Sequence, residues 1–355
     1  MILVSGFSGY VNNLRIMKLK NLKLLCFAFF TLAFAMGCGG DDDSSPQLRV
    51  TIEDQFVNLP SNVSVFFRVD DLSGGGLAGL TESDFNIYEN GSLISSFEAV
   101  RKIQPNEQVF DYNIMLLLDL SGSVLGSENL EPLKQAAQGF VAEVLPEAQD
   151  PSEGAIEIEI WWFDGSENIK QLQPASADAV TLNAAIDGIS ANMSSDNSTN
   201  LYGAVIQSVE VASQRLTQTR QLDEIGSSAV VVFTDGTDQA NRASKGQAVE
   251  AVRNADRDIA FYTIGLGGEI DESVLSDIGT TSFVSAVNIG ELLDSFREIG
   301  DLINNRANSF YLLEYCSPKR SGNNQLTIEV TSGSMTGSAN TLFDASNFNG
   351  SCNLE

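Results

Sequence analysis

The chain has 355 residues, 43% of them hydrophobic, enough for one large domain or two modest ones with a real core. It is strongly acidic, 47 Asp+Glu against 20 Lys+Arg, which excludes the basic footprint of nucleic-acid binding and disfavours docking by charge on an anionic lipid surface. Histidine is absent, which removes Ser-His-Asp and Cys-His catalysis and every histidine-based zinc site.

Residues 1–37 read as a signal peptide. Lys18, Lys20 and Lys23 form a basic start, and Leu24 to Met36 is a mostly apolar run, too short for a comfortable membrane span. Met17 opens a more compact leader than Met1 does. Ala35-Met36-Gly37-Cys38 resembles a bacterial lipobox, which implies cleavage before a lipid-modified Cys38; the alternative is an ordinary cleaved leader. This leader holds four basic residues and no acidic ones, so its removal leaves the exported part more acidic still. Residues 38–46, with Asp41-Asp42-Asp43, read as a solvated tether. The acidic run also resembles a surface-export signal of some Gram-negative lipoproteins, with a plain linker as the alternative.

From 47 to 108 the pattern is β. Val63, Val65, Phe67 and Val69 alternate, as do Phe85 and Ile87, predicting half-buried strands. Asn90-Gly91 is a hairpin signal, and Gly74-Gly75-Gly76 reads as a loop. From 109 to 308 strands and helices alternate. Ile114–Leu118, Ile156–Phe163, Ala229–Phe233, Ala260–Leu266 and Ser282–Val287 are strand runs, with Ile169–Leu172 a short edge strand. Between them lie helical patterns, such as Leu133, Ala136, Ala137, Phe140, Val141 and Val144 behind Pro132. The last helix runs from Ile289 to about Asn305. The expected fold class is α/β: a doubly wound, mostly parallel sheet.

Residues 309–355 return to strands at Phe310–Tyr315, Leu326–Val330 and Thr341–Phe343. The simplest account joins them to 47–108, so that the α/β domain is inserted in a small β-sandwich. Of the four cysteines, Cys26 lies in the leader and Cys38 is the lipid site. That leaves Cys316 and Cys352, an exported pair expected to form a disulfide.

Asp119-Leu120-Ser121-Gly122-Ser123 follows the first α/β strand. It places one carboxylate and two hydroxyls at a strand's carboxyl end, where open α/β sheets bind ligands. Thr199 precedes a helix, and Asp235 follows the Ala229–Phe233 strand. Oxygen donors alone suit Mg2+, Ca2+ or Mn2+ rather than zinc or copper. Each segment has a plainer reading: Asp119, Ser121, Ser123 and Thr199 as helix caps, Asp235-Gly236 as a turn. Trp161 and Trp162 read as packing residues rather than a carbohydrate platform, Asp164 as a turn residue with a place behind the metal ligands as the alternative, and Asp238 as solvated rather than a ligand.

On these three segments, about residues 111–308 resemble the von Willebrand factor A (vWA) domain family. Asp119, Ser121 and Ser123 match its Asp-x-Ser-x-Ser motif, Thr199 its loop threonine and Asp235 its later aspartate. The resemblance implies a metal-ion-dependent adhesion site. Ser121, Ser123 and Thr199 would contact the metal, Asp119 and Asp235 would act directly or through water, and a partner protein's carboxylate would complete the shell. Gly79 to Gly91 is similar to β-rich modules that precede such domains in bacterial secreted proteins.

The function expected is a non-catalytic, lipid-anchored binding protein of the cell envelope, at an outer membrane or cell surface. The alternatives are a metal-dependent phosphoesterase and an envelope scaffold subunit. No P-loop or dedicated phosphate-gripping lysine or arginine favours the phosphoesterase.

Overall fold

Continuous apolar runs make strands that are buried on both faces, and such strands need helices on each side. The computed structural model describes residues 47–94, 100–105, 110–145, 156–221, 225–350, 352 and 354. The leader, the tether, Cys26 and Cys38 lie outside the described residues.

In chain order the amino-terminal strands are β1 (Leu48–Asn58), β2 (Asn62–Asp71), β3 (Phe85–Glu89), β4 (Ser92–Leu93) and β5 (Arg101–Pro105). The α/β part follows: β6 (Phe110–Asp119), α1 (Gly122–Leu125), α2 (Leu130–Val144), β7 (Ile156–Phe163), β8 (Lys170–Ser176), α3 (Ala179–Asp187) and α4 (Leu201–Gln221). It continues with β9 (Ile225–Thr234), α5 (Lys245–Arg253), β10 (Ile259–Leu266), α6 (Glu272–Ile278), β11 (Ser282–Ala286) and α7 (Leu292–Ala307). The carboxyl-terminal strands are β12 (Phe310–Cys316), β13 (Asn323–Ser332) and β14 (Met335–Asp344).

The central sheet has the order β11-β10-β9-β6-β7-β8, parallel except for the antiparallel edge strand β8. Strand alternation divides β6 between two cores. Ile114, Leu116 and Leu118 pack with α2, α3 and α7, through residues such as Phe140, Ile186 and Phe296. Met115 and Leu117 pack on the other face with α4, α5 and α6, through Val205, Ala248 and Leu275. The parallel strands run in one direction, so their carboxyl ends, and the loops that follow them, share one edge.

The remaining strands form two antiparallel sheets, β1-β2-β12-β5 and β14-β13-β3-β4, so amino- and carboxyl-terminal segments pair directly. Their shared core includes Val63, Val65, Phe67, Val69, Phe85, Tyr311 and Ile328. The β3–β4 hairpin turns at Asn90 (φ 51°) and Gly91 (φ 78°), the left-handed pair that a two-residue turn requires. Cys316 and Cys352 are disulfide-bonded, tying the end of β12 to the chain terminus.

Strand β2 departs from the half-buried expectation. Its second face is covered too: Phe66, Arg68 and Asp70 are as buried as the apolar residues between them. Phe66 belongs to the core of the α/β part and stacks on Phe310 with ring centroids 5.5 Å apart. The Gly74–Gly76 segment is likewise a packing element. A Cβ on Gly76 would collide with the Arg306 Cα at the end of α7, so only glycine allows this approach.

Candidate functional site

Asp119 ends β6 at the carboxyl edge of the central sheet, fully buried. Its carboxylate accepts two hydrogen bonds: Oδ1 from the Ser121 backbone N–H (2.9 Å) and Oδ2 from the Thr234 hydroxyl (2.7 Å). Ser121 then turns the chain into α1 and presents its hydroxyl 3.1 Å from that of Ser123. Ser123 donates to Asp235 Oδ1 at 2.7 Å. Two strand ends more than a hundred positions apart in the chain are thus joined side chain to side chain.

The third loop is fastened by backbone. Gly122 N–H donates to Asn197 O (3.0 Å), and the N–H groups of Gln239 and Ala240 donate to Thr199 O (2.8 and 3.0 Å). A Cβ on Gly122 would meet the Asn197 Cβ at 2.7 Å, so the motif's glycine is needed for the two loops to close together. Asp238, expected to be solvated, accepts from the N–H groups of Tyr202 and Asn241 and so ties the Asp235 loop to the first turn of α4.

All five residues expected at the site therefore lie on three mutually bonded loops at one edge. Asp119, Ser121, Ser123 and Asp235 form one hydrogen-bonded group with Thr234, and buried Thr199 sits on the adjoining loop. Thr234 is the member of this group that sequence reasoning misses. Its only signal there is its position, between the apolar Ala229–Phe233 run and Asp235.

The electrostatics are lopsided. Burial pushes the Asp119 carboxyl up to about 7; the Thr234 and Ser121 hydrogen bonds work against that rise, and nearby Asp235 adds to it. Burial also raises Asp235, opposed by the Ser123 hydrogen bond. Neither has a lysine or arginine partner among the described residues. A carboxylate in that position lacks a positive charge, and a divalent cation would supply it. The donor set fits a hard cation: only oxygen, with at most two charges. Among the described residues no group of three or more His, Cys, Asp or Glu side chains converges, so hydroxyls would provide much of the coordination.

The neighbouring residues resolve differently. Asp164 is buried beyond β7 and organises its loop by accepting from Ser166 N–H (2.9 Å), Ser194 Oγ (3.0 Å) and Lys170 Nζ (3.1 Å). Trp162 is buried, with Lys170 Nζ 4.1 Å from its ring centroid, while Trp161 donates to Glu159 at 2.7 Å.

The model of the von Willebrand factor type A domain family matches residues 113–303, more than half of the chain. The chain belongs to this family. Domains of the family commonly mediate protein–protein interactions. No curated protein matches the chain. Among solved structures it is similar to proximal thread matrix protein 1 from the mussel byssus, at 16% identity and TM-score 0.42, covering 61% of this chain and 50% of that one. It is also similar to a von Willebrand factor type A protein from Catenulispora acidiphila, at 9% identity and TM-score 0.44, covering 84% and 74%. A third is BatB from Bacteroides thetaiotaomicron, at 17% identity and TM-score 0.42, covering 56% and 100%. The chain spans about half the length of the mussel structure. Among the described residues no helix is long and apolar enough to cross a membrane, which says nothing of a β-barrel.

Proposed function

We propose that this protein is an exported, non-catalytic binding protein whose vWA domain holds a divalent cation, Mg2+, Ca2+ or Mn2+, and uses it to grip an acidic group of a partner protein. The observation that carries this reading is the buried Asp119 carboxylate, hydrogen-bonded to Ser121 and Thr234 yet without a cationic partner among the described residues. Ser121, Ser123 and Thr199 would offer neutral oxygens to the metal. Asp119 and Asp235 would supply charge and hold the hydroxyls in place, as the 2.7 Å Ser123–Asp235 bond already does. With few charged donors around it, the cation stays electrophilic and gains by recruiting an external carboxylate. It also offsets the repulsion that a chain of formal charge −27 exerts on an acidic partner.

Binding rather than turnover is favoured by the missing histidines and by the absence of a P-loop in the sequence. The leader supports export, with Cys38 as the lipid anchor at the cell envelope. The decisive experiment is a pull-down from envelope extract in Mg2+, Ca2+, Mn2+ or EDTA, comparing wild type with Asp119→Ala. Capture that needs metal and is lost in the variant supports the reading. Equal capture in EDTA, or turnover of a phosphoester by pure wild type that Asp119→Asn abolishes, overturns it.

A further inference from the structure

At the other end of the central sheet, the amino ends of β10 and β11 face strands β1 and β2 across an open cavity of about 430 Å3. That volume is ligand-sized. Its wall carries Arg49, Arg68, Arg253, Arg257 and Arg306 against two carboxylates, Asp70 and Asp256. In a chain with more than twice as many acidic as basic residues, this is a local concentration of arginine, with Glu53, Asp258 and Asp277 standing behind it as partners of Arg68, Arg257 and Arg253.

The arginines divide by commitment. Arg68 and Arg306 are buried: Arg68 pairs with Asp70 at 2.8 Å, and Arg306 donates to Gly74 O at 2.9 Å. Arg49, Arg253 and Arg257 are exposed to different degrees around them. The Arg49 side chain makes no hydrogen bond or ion pair with any described residue. The Arg253 side chain is 66% exposed, and its one pair, with Asp277, is stretched to 3.9 Å. Arg257 is 62% exposed; it touches Glu53 at 3.2 Å through one nitrogen and lies 3.8 Å from Asp258 through another. A guanidinium carries five N–H donors, so most donors on these three side chains are uncommitted. Arg49 lies on β1, while Arg253 and Arg257 lie at and beyond the end of α5, so both parts of the molecule contribute.

We propose that this cavity is an anion site for a small phosphate-class oxyanion, held by Arg49, Arg253 and Arg257 across the seam between sandwich and vWA domain. Several guanidinium forks suit an anion whose oxygens face several directions, whereas a lone carboxylate engages one fork. The acidic exterior favours a soluble anion over an anionic bilayer, because the rest of the surface is repelled by the latter. The ligand would act as a strap between the two parts, at the sheet edge away from the metal site.

The test uses the full-length chain in EDTA, at ionic strength held constant with chloride, so the metal site is silent and failure there leaves this result untouched. Calorimetric titration with inorganic phosphate is expected to saturate and to raise the thermal midpoint. Arg49→Gln/Arg257→Gln is expected to bind at least about tenfold more weakly. Arg49→Gln alone removes no side-chain hydrogen bond or ion pair, so it keeps the fold and is expected to weaken binding in the same direction. No saturation in wild type, or affinities unchanged in both variants, overturns the proposal. Phosphatidylcholine vesicles with and without phosphatidic acid form the second arm, where no arginine-dependent binding is expected. Vesicle binding that the double variant loses and free phosphate displaces keeps the site and assigns it to a lipid headgroup.

Discussion

The two ends of the central sheet handle buried charge in opposite ways. At the amino edge, Glu53, Asp70 and Asp258 are buried among arginines. Arg68 alone reaches all three, at 3.4, 2.8 and 3.3 Å, and Arg220 and Arg257 add further pairs. At the carboxyl edge, Asp119 is at least as buried and has no such partner among the described residues. Removing a charge from water is tolerable only when something nearby compensates it. The seam does so with its own side chains and ties the β-sandwich to the α/β part. On the proposed function, the carboxyl edge would leave the compensation of its buried carboxylate to a ligand, whereas the seam supplies it from within.

The largest effect should come from breaking the network that pairs its buried charges. Arg68→Ala would remove the one cation that the three buried carboxylates share, leaving Arg220, Arg257 and Arg306 to hold them apart, at a cost of about 3–5 kcal/mol in urea unfolding. A loss well under that range would mean that the seam is not self-compensated and would erase the contrast. The matching change at the other edge has a different sign. Asp119→Asn keeps the shape and an acceptor for Ser121 N–H, while the Thr234 hydroxyl can turn to accept from the new amide. In EDTA this variant is expected to be as stable as wild type or more so. Wild type should gain about 2.7 kcal/mol when metal reaches a hundredfold its dissociation constant, and the variant should gain nothing. Thermal unfolding with and without Mg2+ or Mn2+ reads both. A variant clearly weaker than wild type in EDTA would show that Asp119 serves the fold itself.

Thr234→Val sharpens the contrast further, since it changes one hydroxyl that need not touch the metal. It frees Asp119 Oδ2 from its 2.7 Å bond without removing any of the five expected ligands. Metal affinity should fall by about ten- to a hundredfold, the usual cost of losing a group that orients a ligand. Unchanged affinity by calorimetry would assign Thr234 to packing alone.

These two edges were not equally legible in the sequence. The site residues announce themselves because Asp119, Ser121 and Ser123 are clustered, polar and placed directly after an apolar run. Thr199 and Asp235 follow the same logic at later element boundaries. The sandwich was legible in outline, since period-2 strands bracket the α/β segment at both ends. The seam was not. Arg68 and Asp70 alternate with the inward-facing Phe67 and Val69, the ordinary pattern of a strand with one solvated side. What covers them comes from Asp258 and Arg306, some two hundred positions along the chain. Local periodicity reports which residues share a face and is silent on whether that face meets water.

Asp164 brings the two kinds of solution onto one edge. It lies beside the loops of the candidate site, yet it is satisfied from within. Burial pushes its carboxyl up, but the hydrogen bonds from Ser166, Lys170 and Ser194 outweigh that and hold it down at about 2. Because this value lies below the unfolded one, near ~3.9, the ionised group stabilises the fold at neutral pH. That contribution is lost as pH falls through about 2. Asp164→Asn should therefore be less stable than wild type at pH 7 by about 1–3 kcal/mol. The gap should narrow as pH drops from the unfolded value toward the folded one. It should also be the same with and without divalent cation, since Asp164 already has its partners. A gap that closes on adding metal would place Asp164 with Asp119, among the charges this edge leaves for a ligand to balance.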